Sequence, residues 1–184
     1  MLTKLSKLIL IAAFLFVTTI SSGETNPFDE NNSSTVVAPA SSTSVPTTTV
    51  DDLISIAQAS ENSETHDSII LDSVSEVQSV SEVIQLAKAC NQIKNQDSVI
   101  TKGVLFAHTS GDFVLLSRNC SDPKTKDSVL IQGIEKADSP LDFMELAANC
   151  NSKTAKNKIL HEGSKRALTV GNTGMATLLK QLMD

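Results

Sequence analysis

The stretches SVSEVIQLAKAC (79–90), TSGDFVLLSRNC (109–120) and SPLDFMELAANC (139–150) superimpose without a gap, and their cysteines fall thirty residues apart. Working outward, the register extends to four copies: Thr49–Gln78, Ser79–His108, Thr109–Asp138 and Ser139–Leu168. A unit of this size buries too little apolar surface to fold alone, so the copies must stack on one another.

Each copy opens with Ser or Thr and places an acid three residues later: Thr49 with Asp52, Ser79 with Glu82, Thr109 with Asp112, Ser139 with Asp142. That is the capping box, in which the hydroxyl accepts from an orphan amide while the carboxylate reaches back to the cap. Apolar or small residues follow at offsets 0, 3, 4 and 7. They are Leu53, Ile56, Ala57 and Ser60 in the first copy; Val83, Leu86, Ala87 and Cys90 in the second; Phe113, Leu116, Ser117 and Cys120 in the third; Phe143, Leu146, Ala147 and Cys150 in the fourth. This spacing predicts a short first helix of about 11 residues with one apolar stripe.

A polar turn comes next, clearest at Ser121, Asp122 and Pro123, where Asp122 suits a cap and Pro123 the first helical position. The second helix carries Val99, Ile100, Gly103, Val104 and Ala107, repeated as Val129, Leu130, Gly133, Ile134 and Ala137, and as Ile159, Leu160, Gly163, Ser164 and Ala167. Glycine inside a helix costs roughly 1 kcal/mol against alanine, so its recurrence, with Ser73 in the first copy, predicts a close helix crossing. The segment 169–184 breaks register at Gly171 and Gly174. Its Met175, Leu178, Leu179 and Leu182 predict a capping helix.

The expected fold is therefore all-α: an alpha-alpha solenoid of the right-handed type, four 30-residue hairpins and a C-terminal capping helix, over 49–184. Between Thr49 and Leu168 the pattern resembles, as a class, the short two-helix solenoids such as HEAT-like repeats. It lacks the Trp, Tyr and Pro signature of tetratricopeptide repeats and the Thr-Pro-Leu-His of ankyrin repeats. The resemblance implies a protein-binding scaffold.

Residues 1–23 have Lys4 and Lys7, an apolar run from Leu8 to Val17 and a small polar end at Gly23, the order of a cleaved secretory signal. A spanning helix needs about 20 apolar residues, so no stable membrane span is expected. Secretion or a periplasmic location follows. Residues 24–48, rich in Ser and Thr with Pro39 and Pro46, are expected to form a flexible linker, with Asn31 and Asn32 as potential glycosylation acceptors.

The formal charge is -6, and it is uneven: Glu24–Cys90 holds eleven acids and one base, Asn91–Asp184 ten acids and twelve bases. An acidic chain argues against nucleic acid as partner. The absence of Trp and Tyr removes the usual aromatic anchors of a large tight interface.

No CxxC, HExxH, Gly-x-Ser-x-Gly elbow or phosphate loop occurs, so no metal, cofactor or catalysis is expected. Packed helices lie about 10 Å apart, too far for a disulfide between equivalent cysteines, so Cys90, Cys120 and Cys150 are expected as free thiols. One basic cluster in the fourth copy, Lys158, His161, Lys165 and Arg166, is the candidate partner-binding patch, alongside Lys153 and Lys156. Exposed second-helix columns vary freely: Ser68, Ser98, Ser128 and Lys158; Asp72, Lys102, Gln132 and Glu162; Ser75, Leu105, Glu135 and Lys165. Two functions are consistent with this: an exported non-catalytic protein-binding or scaffolding module, or a surface protein that self-associates weakly, end to end, acidic first repeat against basic last.

Overall fold

The computed structural model describes residues 48–183. The expected signal at 1–23, most of the linker, and Asn31 and Asn32 lie outside them. Among the described residues the secondary structure is entirely helical, with nine α-helices and no strand. They are α1 (Val50–Gln58), α2 (Ser63–Ser73), α3 (Val80–Ala89), α4 (Ile93–Gly103), α5 (Ser110–Arg118), α6 (Pro123–Gln132), α7 (Pro140–Ala148), α8 (Lys153–Thr169) and α9 (Thr173–Gln181).

All the helices but α4 start at a residue whose side chain caps them. Thr49, Thr109 and Ser139 each form the full reciprocal box with the acid three residues on. The second copy departs from this. Ser79 accepts from the Glu82 amide, but the Glu82 carboxylate reaches past the cap to the Gln78 amide at 2.7 Å. Asp122 accepts from the Thr125 amide at 2.8 Å, with Pro123 opening α6. Each such cap is worth about 1 kcal/mol.

α1 pairs with α2, α3 with α4, α5 with α6 and α7 with α8; first helices then touch first helices, and second helices touch second helices, along the chain. The apolar stripe faces inward. Leu86, Leu116 and Leu146 are fully buried, as are Ile70, Ile100, Leu130 and Leu160 opposite them. Burying one such side chain contributes about 1.5–3 kcal/mol. The first copy differs: Ile56, the counterpart of Leu86, is 57 % exposed, and no hairpin precedes it among the described residues.

Three expectations need correction. First helices run 9 or 10 residues against the expected 11 or so, ending at the caps Ala59, Cys90, Asn119 and Asn149. Second helices do not continue to Ala107 or Ala137; they tighten into single 3-10 turns at Val74–Glu76, Val104–Phe106 and Gly133–Lys136. Gly103 and Gly133 thus lie at that junction, and only Gly163 is inside a helix, since α8 runs through to Thr169. The last helix begins at Thr173, after Gly171 at φ 77, and buries Ala176 and Leu179 while leaving Leu178 exposed.

The close approach itself is present. A Cβ on Gly133 would lie 2.8 Å from Leu146 Cδ2 and 2.9 Å from Phe113 Cβ; on Gly163, 2.5 Å from Phe143 Cγ; on Gly103 it would overlap Val83. Glycine there admits the bulk of the first helix. α9 packs chiefly on α8 and also touches α7.

Candidate interaction surface

The second helices are joined by a polar device. Asp67 in α2 accepts the amides of Asn91 at 2.7 Å and Gln92 at 2.9 Å, from the turn that opens α4. Asp97 in α4 takes those of Ser121 at 2.7 Å and Asp122 at 2.8 Å, and Asp127 in α6 those of Asn151 at 2.7 Å and Ser152 at 2.9 Å. All three aspartates are buried. Each carboxylate takes the amide of the N-cap residue of the next copy's second helix and that of the residue before it.

Burial would raise the Asp67 carboxyl, but hydrogen bonds from the Asn95 side chain, the Asn91 amide, His66 and the Gln92 amide outweigh it and hold it down at about 2. The same balance of burial against the Ser152 and Asn151 donors lowers Asp127. His66 Nδ1 lies 3.0 Å from Asp67 Oδ1, so the first junction carries an extra buried partner.

The fourth copy has Asn157 at the corresponding place, and its Oδ1 is buried with no hydrogen-bond partner. The cleft beside it is bounded by Ile134, Lys158, His161, Glu162 and Met183.

Outside these junctions runs a groove over the second helices. Its first stretch, 930 Å³, lies between α2, α4 and the start of α6, with Leu71, Ile93, Lys94, Lys102 and Pro123 on its walls. The second, 690 Å³, shares Pro123 and continues between α6 and α8 past Lys124, Ile131 and Lys158. A third, 680 Å³, shares Ile131 and Lys158 and passes Leu105 and Glu135.

The expected basic patch is divided by the fold. Lys158 and His161 share the cleft beside Asn157, and Lys158 also lines the groove. Arg166 turns away: it stacks 5.4 Å over the Phe143 ring, donates to the Ala137 carbonyl at 3.1 Å and lies 3.6 Å from Glu162. Its guanidinium ties α8 to the preceding copy. Lys165 is largely exposed and lines none of these clefts, with Nζ 3.9 Å from Glu162. Sequence reasoning passed over Lys94 and Lys124, which stand thirty apart and could have been found by the same register, as could Asp67, Asp97 and Asp127.

The cysteines are free, Cys90 buried and the other two half-buried. Each thiol points back to the carbonyl four residues earlier, Leu86, Leu116 and Leu146, at 3.5–3.7 Å. Burial, with the neighbouring aspartate adding to it, pushes Cys90 and Cys120 up to about 12 and Cys150 to about 11. Such thiols are poor nucleophiles at neutral pH. Among the described residues no three His, Cys, Asp or Glu side chains converge to hold a metal ion, and no helix is long and apolar enough to cross a membrane.

No protein-family model matches the chain, and comparison with curated proteins and with solved structures returns no match.

Proposed function

We propose that the chain is an exported, non-catalytic scaffold: an alpha-solenoid of the right-handed type, capped by α9, whose second-helix side binds a protein partner. The observation that carries this reading is the repeated junction. Asp67, Asp97 and Asp127 make the same pair of amide contacts three times, while the positions beside them, exposed except for the half-buried Ser98 and Glu162, change from Ser98 and Ser128 to Lys158, and from Asp72 to Lys102, Gln132 and Glu162. A constant frame under a varied face is how solenoids present binding surfaces. The inference from architecture to binding is by analogy of fold.

End-to-end self-association is the less supported reading. Among the described residues Ile56 leaves the upstream face partly uncovered, but α9 packs on α8 and touches α7 at the downstream end. Affinity capture from the native secreted or periplasmic fraction, with cysteine-free crosslinkers placed at Ser98 and Ser128, tests the scaffold reading. It expects one partner crosslinked at both positions; a chain that captures nothing, or crosslinks only to itself, removes it.

A further inference from the structure

We infer that the groove over α4, α6 and α8 is a docking site for an extended acidic peptide segment carrying apolar side chains. The inference rests on the scaffold reading and names the class of partner and the place it lies.

The charge along this groove opposes that of the whole chain. Lys94, Lys102, Lys124 and Lys158 stand on its walls, all exposed, in a protein of formal charge -6. Among the described residues none of the four is in an ion pair. Three acids share the two main stretches: Asp97 and Asp127, buried against the amides of the next copy, and Asp122, exposed, which accepts the Thr125 amide and feels the charge of Lys124. Glu135 stands only at the far margin, next to Lys136. Four lysines against three aspartates leave these stretches one charge positive, and since the lysines are all exposed while Asp97 and Asp127 are buried, the charge that a docking chain meets is chiefly positive and complements carboxylates.

The apolar component selects against a purely ionic partner. Ile93, 64 % exposed, lines the first stretch with half-buried Leu71; half-buried Ile131 lines the second and third, and Leu105, 85 % exposed, the third. A sulfated polysaccharide has nothing to place against these side chains, whereas a peptide alternating acids with aliphatic residues meets both. The run crosses from α2 to α8, three helix spacings of about 10 Å each. An extended chain of roughly nine residues spans that length.

The test uses the purified chain and a fluorescent nine-residue peptide in which Asp and Glu alternate with Leu and Val. Binding is expected to be saturable and weakened by salt. The triple change Lys94→Glu, Lys124→Glu, Lys158→Glu is expected to weaken it by about tenfold or more. The triple change Lys88→Glu, Lys165→Glu, Lys180→Glu alters net charge equally, away from the groove, and is expected to leave it within about twofold. No saturable binding, or equal losses in the two variants, overturns the inference. So does stronger binding of phosphatidylglycerol vesicles or heparin than of the peptide. Partner capture separates the two claims: a partner held equally by the wild-type chain and the groove variant sinks the groove and leaves the scaffold, whereas no partner for the wild-type chain sinks the scaffold.

Discussion

Asp97, inside α4, holds the backbone amide of Ser121 at 2.7 Å, twenty-four residues further along the chain and in the next hairpin. The same carboxylate takes the Asp122 amide at 2.8 Å, so one buried acid closes two unsatisfied donors at once. Replacing Asp97 with Ala leaves both amides without a partner, at about 3 kcal/mol in total. Asp97→Asn, which keeps one acceptor oxygen, is expected to cost about half of that. Urea titration followed by circular dichroism measures both; equal stability of Asp97→Ala and wild type would show that water replaces the junction.

Acid is expected to loosen the first junction. The Asp67 carboxyl sits at about 2 in the folded chain against an ordinary 3.8, so the unfolded state binds the proton first as pH falls. The stabilisation is fully present above about pH 4 and is lost as pH drops through about 2. Thermal melts from pH 6 to pH 2 are expected to fall most steeply in that window, and Asp67→Asn to flatten the fall while lowering stability at pH 6.

Gly133 and Gly174 are expected to respond oppositely to the same substitution. A methyl group on Gly133 meets Leu146 and Phe113 at under 3.0 Å, so Gly133→Ala is expected to destabilise by about 1–3 kcal/mol. Gly174, in the first turn of α9, has open space around it, and Gly174→Ala is expected to stabilise by about 0.5–1 kcal/mol. Melting temperatures of the two single variants decide this.

Asn157 offers a third contrast. Its buried Oδ1 has no donor, so Asn157→Leu, of similar volume, is expected to be neutral or stabilising by about 1 kcal/mol. Asn157→Asp places an unpaired charge there and is expected to destabilise by about 3 kcal/mol at pH 7. A destabilised Asn157→Leu would mean that the amide group makes a contact of its own.

With thiols raised to about 11–12 by burial, iodoacetamide at pH 8 is expected to alkylate Cys90, Cys120 and Cys150 far more slowly in the folded chain than in urea. Mass spectrometry over time reads this directly. Fast labelling of Cys90 without denaturant would contradict its burial.

The helical character, the caps and the buried stripe were legible because each has a local signature that the thirty-residue period multiplies. Val83, Leu86 and Ala87 announce their burial through spacing alone. The 3-10 turns at Val104–Phe106 and Gly133–Lys136 were not legible, because the repeated glycine does not announce them: Gly163 approaches Phe143 as closely, yet α8 runs on through it to Thr169. Asp67, Asp97 and Asp127 escaped for another reason. Apolar periodicity ignores charged residues, and an aspartate becomes an interior residue only once the next hairpin supplies its donors. Arg166 reads as surface charge until the ring of Phe143 and the carbonyl of Ala137 are found beside it.

The pair of donors common to Asp67, Asp97 and Asp127 is main-chain, and every residue except proline owns such a group; side chains add to it only locally, Asn95 at Asp67 and Ser152 and Asn151 at Asp127. Recognition between neighbouring hairpins therefore places a chemical demand on one side only. Asn91 and Gln92, Ser121 and Asp122, Asn151 and Ser152 all supply that pair, so the side chains at these places can diversify while the main-chain part of the grip stays the same.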